Sequence, residues 1–387
     1  MEKKKLFFLS TMHFLLDSHM GFFAVYLVIA ELDPLKSALI ITVSNFAGNI
    51  LQPFMGYSAD RIRGKMPLFF GLLLTSLSMS LIGLTSHYGV LLVIVLFGNL
   101  GSSLFHPAGA NIAGAAGKSK RDASFAIFVT IGTIGFALSQ PYFSAFTAKF
   151  GTEKSFVMVI PALLFAFYYI FFGKMEIHGG GETLNFKELK KVLIRRALPI
   201  SLLFFIMVFR TVLILSINFF LAKTFEEWGF SRAVYSSANT VFMLSGAGGI
   251  LAAGHLANFI KPRKLLSVSL SGFLPFFFLF LYFGATGKLL PAMAFLAVTG
   301  FIFNGGHAAN IVMGHRVAPE MTSTISGILM GFAWAVASFG PTLCARFSGL
   351  IPGIGGLASG LAVLAIFPLI AFILSIFLSR EVDSTVR

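Results

Sequence analysis

Charge is what this chain has least of. Of its 387 residues only 11% are Asp, Glu, Lys or Arg, while 57% are hydrophobic. A soluble domain carries about 25% charged residues, so this composition excludes one. Cysteine is almost missing as well. The single Cys344 excludes a disulfide framework within the chain and any cysteine-based metal cluster. No Walker A sequence occurs, which leaves ATP-driven pumping without its phosphate cradle. Neither His-Glu-x-x-His nor Gly-x-Ser-x-Gly is present. The chain therefore reads as a non-enzyme that needs no cofactor.

Long apolar runs are what it has in plenty. A spanning helix needs roughly 20 apolar residues, and twelve candidates fit: about 6–30, 36–57, 67–86, 89–116, 123–147, 155–173, 197–222, 233–254, 264–285, 290–314, 323–345 and 356–379. The first is too long, and too polar at His13 and Asp17, for a cleaved signal peptide. The expected fold class is an all-α, multi-pass membrane protein embedded in a lipid bilayer.

The formal charge of +14 raises the question of nucleic acid, and its distribution answers it. Twenty-one Lys and Arg fall in alternate segments beginning at the N-terminus, seven fall in the intervening loops, and Arg210 lies inside a span. This is the positive-inside signature. It places both termini in the cytoplasm and makes the basic charge a matter of topology with no nucleic-acid partner; the expected location is the cytoplasmic (inner) membrane.

The chain also repeats itself. Gly56-Tyr57-Ser58-Ala59-Asp60-Arg61-Ile62-Arg63-Gly64-Lys65 sits between two apolar runs, and a weaker copy, Gly254 to Arg263, begins 198 positions later. Ser139-Gln140-Pro141 in the fifth span is echoed by Phe339-Gly340-Pro341 in the eleventh, 200 positions on. The expected organisation is a six-helix bundle over 1–172, a basic cytoplasmic connector over 173–196 with a short surface helix, and a second six-helix bundle over 197–387. Two pseudo-symmetric halves that rock about a site between them make a transporter.

These residues resemble a known family. The Gly56–Lys65 stretch is similar to the signature loop of the major facilitator superfamily, with Arg63 and Gly64 in swapped order. Three further stretches resemble its fosmidomycin-resistance branch of drug efflux proteins: His13-Phe14-Leu15-Leu16-Asp17, Leu51-Gln52-Pro53-Phe54-Met55-Gly56-Tyr57 and Gly101-Ser102-Ser103-Leu104-Phe105-His106-Pro107. That branch usually follows His-Pro with Glu, and here the position is Ala108. The resemblance implies the major facilitator fold in a monomer and efflux of a small amphiphilic or anionic compound, drug or phosphonate-like, as in antibiotic resistance. Gly132, Gly135 and Pro141 resemble the Gly/Pro-rich motif of the superfamily's proton-coupled exporters, which favours a proton antiporter.

Two sets of residues carry the mechanism. Asp60 falls near the expected start of the eleventh helix around Thr322 and Ser323, where a helix N-terminus favours an anion by about 0.3–2 kcal/mol. Gly56, Asp60, Arg61 and Lys65 are thus expected to form a conformational latch. Within the spans, the helical rise puts Asp17, His13, Arg210, His106 and His307 in a band around the bilayer midplane. Charge there costs at least roughly 2.5–3.5 kcal/mol, so it normally faces a cavity or a partner.

Asp17, with His13 and His106, is expected to exchange protons. Arg210 is expected to attract an anionic small-molecule substrate or to pair with Asp17. Asn45, Asn49 and Gln52 share one helix face, and Asn304, His307 and Asn310 share another, looser one. Asn49, Asn304 and His307 are the candidates for lining the substrate cavity, with interhelical bonding as the plainer reading of the amides. A metal transporter using His13, Asp17, His106 and His307 is the alternative.

Overall fold

The structure, a computed structural model, describes residues 3–61, 66–116, 121–172, 186–257, 259–319 and 322–378, and among these no strand occurs. Apolar surroundings leave backbone N–H and C=O groups no water to bond, so each run must satisfy its own groups, and a helix does so.

The helices of the first half are α1 (Lys3–Met20) and α2 (Phe22–Ile29), which together make one span, then α3 (Pro34–Arg61), α4 (Met66–Ser80), α5 (Tyr88–Ala116), α6 (Arg121–Phe150) and α7 (Ile160–Phe172). The connector contributes α8 (Phe186–Arg195). The second half holds α9 (Ala197–Glu227), α10 (Arg232–Leu256), α11 (Pro262–Gly272) with α12 (Leu274–Ala285), and α13 (Leu289–Val317). Its last two spans are α14 (Thr322–Ser326), α15 (Ala333–Ala337) and α16 (Gly340–Arg346), then α17 (Gly356–Leu364) with α18 (Ile366–Ile376). Each of the twelve expected spans is thus met by a helical segment.

Among the described residues, nine segments are long and apolar enough to cross a membrane. The other three, α3, α6 and α10, run for 28, 30 and 25 residues. At 1.5 Å per residue each exceeds the roughly 30 Å hydrocarbon core. Polar side chains such as Asn45, Asn49 and Gln52 on α3 lower their hydropathy.

Breaks fall where the sequence explains them. The α11–α12 break at Phe273 lies just before Pro275, and the α17–α18 break at Ala365 lies just before Pro368. Each ring removes a donor and crowds the carbonyl four residues back. The eleventh span winds as a π-helix over Gly327–Phe332. One expectation changes: Gly56–Arg61 is the last part of α3, so most of the expected loop is helix. Ile62–Lys65 and Asn258 lie outside the described residues.

The chain divides into two compact units, Met1–Gly181 with Arg232–Thr240, and Glu182–Ser231 with Val241–Arg387. In the first, α1 runs along α6, and α5 is flanked by α3 and α4. Leu9, Met12, Leu16, Leu72, Phe105 and Phe128 form the centre of its core. The start of α10 is held to α6 by Arg232, which donates to Ser144 O at 3.0 Å and Thr147 Oγ1 at 2.6 Å. In the second unit α9 is central, packed by α13, α15, α16, α17 and α18.

Candidate functional site

Each unit places its first and fourth membrane helices side by side and builds one polar cluster between them. In the first unit α1 carries His13 and Asp17 one turn apart, and α5 carries His106. His13 Nε2 lies 3.0 Å from Asp17 Oδ2, and His106 Nε2 lies 3.5 Å from Asp17 Oδ1. The two imidazole Nε2 atoms are 3.2 Å apart.

The far nitrogens fix the tautomers. His13 Nδ1 lies 2.9 Å from Phe128 O on α6, and His106 Nδ1 lies 2.9 Å from Ser102 O and 3.0 Å from Ser102 Oγ on its own helix. A carbonyl only accepts, so both Nδ1 atoms carry hydrogen and donate. In the neutral rings both Nε2 atoms then present lone pairs towards each other and towards a carboxylate. Three acceptors converging without a donor require a cation, and a proton is the simplest one.

The surroundings hold this geometry. The Phe128 ring stacks on His13 with centroids 4.1 Å apart. Gly132 on α6 leaves the room, since a Cβ there would collide with the His13 ring, and Gly135 lies against the Phe14 backbone in the same way. These two glycines, read from sequence as part of an exporter-like Gly/Pro motif, seat α1 on α6. Side-chain exposure rises from 5% at His13 through 13% at Asp17 to 32% at His106, so access is from the His106 side. Pro107 lies inside α5, and the imidazole before it bonds Ser102 O.

The second unit repeats the placement with the opposite chemistry. Arg210 on α9 is 1% exposed. Its Nη2 donates to Phe303 O on α13 at 3.1 Å, and its Nη1 lies 3.3 Å from His307 Nδ1. The guanidinium carbon sits 5.3 Å from the Phe303 ring centroid. Guanidinium only donates, so His307 Nδ1 accepts and the hydrogen is on Nε2. Among the described residues Arg210 Nε has no hydrogen-bond partner and no carboxylate pairs with Arg210.

Trp334 on α15 stands edge-on to His307 at 6.1 Å, and its buried indole N–H also has no partner. Sequence reasoning missed Trp334. Its signal was scarcity, since the chain has two Trp. The other, Trp228, donates to Ile354 O at 2.8 Å at a helix end.

His13 and Arg210 are 197 positions apart, and His106 and His307 are 201 apart, which is the spacing of the internal repeat. Acceptors converge in the first unit and donors in the second.

The remaining expected residues divide. Asn49 is partly buried, as are Asn45 and Gln52. Asn304 donates to Gly300 O of its own helix at 3.0 Å, while Asn310 bonds Leu203 O on α9 at 3.3 Å. Among the described residues the group whose ligand atoms could hold a metal ion is His13, Asp17 and His106, all within 4.8 Å of one another. His307 is not in that group, and its Nδ1 faces the Arg210 guanidinium, a cation that repels a metal ion. Gly56, Asp60 and Arg61 lie at the end of α3, with side chains outside the described residues, as is Lys65. The eleventh span begins at Thr322, as expected.

A model described as Major Facilitator Superfamily matches residues 6–225. The fosmidomycin resistance protein of Escherichia coli (strain K12) is 24% identical over 354 residues, covering 89% of this chain and 84% of that protein. An uncharacterized MFS-type transporter, YfnC of Bacillus subtilis (strain 168), is 23% identical and covers 85% and 80%. Among solved structures, a mutant of the nucleoside transporter NupG superposes with a TM-score of 0.79 at 13% identity, over 98% of this chain and all of that one. A bacterial homolog of the human lysosomal transporter Spinster reaches 0.77 at 15% identity, over 99% and 98%. At these identities the structural likeness shows the fold.

Proposed function

Because the chain belongs to the Major Facilitator Superfamily, and is a membrane transporter rather than an enzyme, we propose that it exports a small anionic or amphiphilic compound in exchange for protons, by alternating access. The observation that carries this reading is Arg210: a guanidinium 1% exposed, one nitrogen unbonded, with no carboxylate partner among the described residues. A charge buried without a counter-ion is costly. A transported anion supplies the missing partner, and the N–H groups of His307 and Trp334 add neutral donors to it. The His13–Asp17–His106 cluster supplies the complementary acceptors, which a proton satisfies.

The cycle follows from charge. A proton taken up from outside neutralises Asp17, and its release to the cytoplasm restores the carboxylate. The anion moves outward from the donor cluster. The fosmidomycin resistance relative supports efflux and a drug or phosphonate-like substrate. The basic loops support a cytoplasmic-membrane protein with both termini inside, the family suggests a monomer, and Asp60 is proposed to latch towards the start of α14.

The test is flux in proteoliposomes under an imposed pH gradient, over a panel of small anions that includes phosphonate antibiotics. Uphill movement of at least one anion is expected, and Arg210→Gln should weaken its binding by about 10- to 100-fold, the worth of a charge-assisted hydrogen bond. Equal binding by Arg210→Gln removes the anion reading.

A further inference from the structure

The convergence of His13 Nε2, His106 Nε2 and the Asp17 carboxylate fits a second kind of cation. We infer that these three side chains form a binding site for one divalent transition-metal ion of the zinc class, and that its occupancy holds transport off.

The ligand set is the first argument. Two imidazoles and one carboxylate suit zinc, cobalt or nickel. The spacing is the second. Zinc binds imidazole nitrogen at about 2.0–2.1 Å, which puts adjacent corners of a tetrahedron roughly 3.3 Å apart. The two imidazole Nε2 atoms are 3.2 Å apart, close to that edge, and the carboxylate offers one oxygen to each ring, Oδ2 at 3.0 Å from His13 and Oδ1 at 3.5 Å from His106, with one ligand atom from each residue lying within 4.8 Å of the others.

The third argument is the outer contacts. Metal-bound histidines almost always donate their other ring N–H to a carbonyl or carboxylate. His13 does so to Phe128 O and His106 to Ser102 O, both at 2.9 Å, so both rings already hold the ligating tautomer. The ring stack with Phe128 and the space at Gly132 fix the orientation of His13. Three protein ligands leave a fourth position for water, and the 32% exposure of the His106 side chain gives an ion its access.

An ion held this way ties α1 to α5 and occupies the atoms that the proposed cycle uses. The inhibitory half of the inference therefore rests on the proposed function, whereas the binding half does not.

The experiment uses the full-length protein without an affinity tag. Cobalt chloride titrated into the purified protein should give one equivalent of an intense visible spectrum, as expected of four-coordinate Co²⁺, and zinc should displace it one for one. His106→Ala should lower the affinity at least about tenfold, with His106→Gln as a volume-preserving second variant and His255→Ala, on α10, as an unchanged control. In proteoliposomes, saturating zinc should suppress pH-driven flux at least about tenfold.

No such spectrum, or one unchanged in both His106 variants, overturns the site. If that result comes with flux that still requires Asp17, the proton reading survives alone. A cobalt spectrum with flux untouched by zinc overturns the inhibition, and so does zinc accumulating inside the vesicles, because the ion is then cargo.

Discussion

His106 on α5 sets its Nε2 3.2 Å from Nε2 of His13 on α1, while each ring donates its other nitrogen to a backbone carbonyl. Two lone pairs meeting at that distance repel, and the Asp17 carboxylate between α1 and α5 adds a third acceptor. A cation satisfies all three acceptors at once, and a proton on one imidazole is enough to pair that ring with the Asp17 carboxylate. Asp17 meets two imidazoles inside its own unit, and Arg210 meets His307 and Phe303 in the other. The expected choice of pairing Asp17 with Arg210 thus has a competing answer for each group.

The seat of His13 gives the first prediction. Gly132→Ala places a Cβ into the imidazole ring, and overpacking of a filled core costs about 1–3 kcal/mol. The variant should melt several degrees below the parent in a thermal-shift assay, and it should lose pH-driven flux because the ring is displaced. Gly254→Ala, whose Cβ would meet nothing within 4 Å, serves as the control. Equal melting of all three proteins contradicts the packing argument.

Trp334 gives the second. Its indole N–H is buried without a partner beside His307, and Trp334→Phe keeps an aromatic ring while removing the donor. A hydrogen bond of this kind contributes about 0.5–1.5 kcal/mol. KM for the anion should rise about 2- to 10-fold, with the maximal rate nearly unchanged. With Trp228→Phe as background, Trp334 is the only indole left, so its fluorescence should respond to the transported anion. Silence there, together with an unchanged KM in Trp334→Phe, removes Trp334 from the site.

Asp60 gives the third. If it binds the N-terminus of the eleventh span in one state of the cycle, Asp60→Asn should slow transport while leaving substrate affinity intact. Equilibrium binding and initial flux, measured on the same preparation, separate the two. Full transport by the Asn variant ends the latch proposal.

Much of this was legible in the sequence, for reasons that can be named. Helix positions follow from apolar run length, so the spans could be read to within a few residues, whereas the breaks at Phe273 and Ala365 were not foreseen. The repeat aligned His13 with Arg210 and His106 with His307, because insertions between equivalent helices are short. Helix rotation was not legible. Gly132 and Gly135 read only as part of a Gly/Pro motif because sequence does not say that α1 lies against that face of α6. Trp334 was overlooked for the same reason, since only packing brings α15 beside His307. The amides divided on local bonding that pattern cannot show: Asn304 turns back on its own helix, and Asn310 crosses to α9.

The last prediction concerns the proton itself. A carboxylate near the bilayer midplane is penalised in its charged form, and the imidazoles that face Asp17 offer it a donor only when one of them takes up a proton. If Asp17 carries the coupling proton, Asp17→Asn locks the cluster in a neutral state. The asparagine amide can donate to His13 or His106, so the packing survives while the exchangeable proton is gone. Flux driven by a pH gradient should then vanish, and exchange of labelled for unlabelled anion at equal pH on both sides should persist at near the parent rate. That split separates a coupling role from a structural one, because a misfolded cluster would lose both activities. If the Asn variant still concentrates the anion against its gradient, the proton is carried elsewhere. His106 is then the next residue to test, as the most exposed of the three and the one through which the cluster meets solvent.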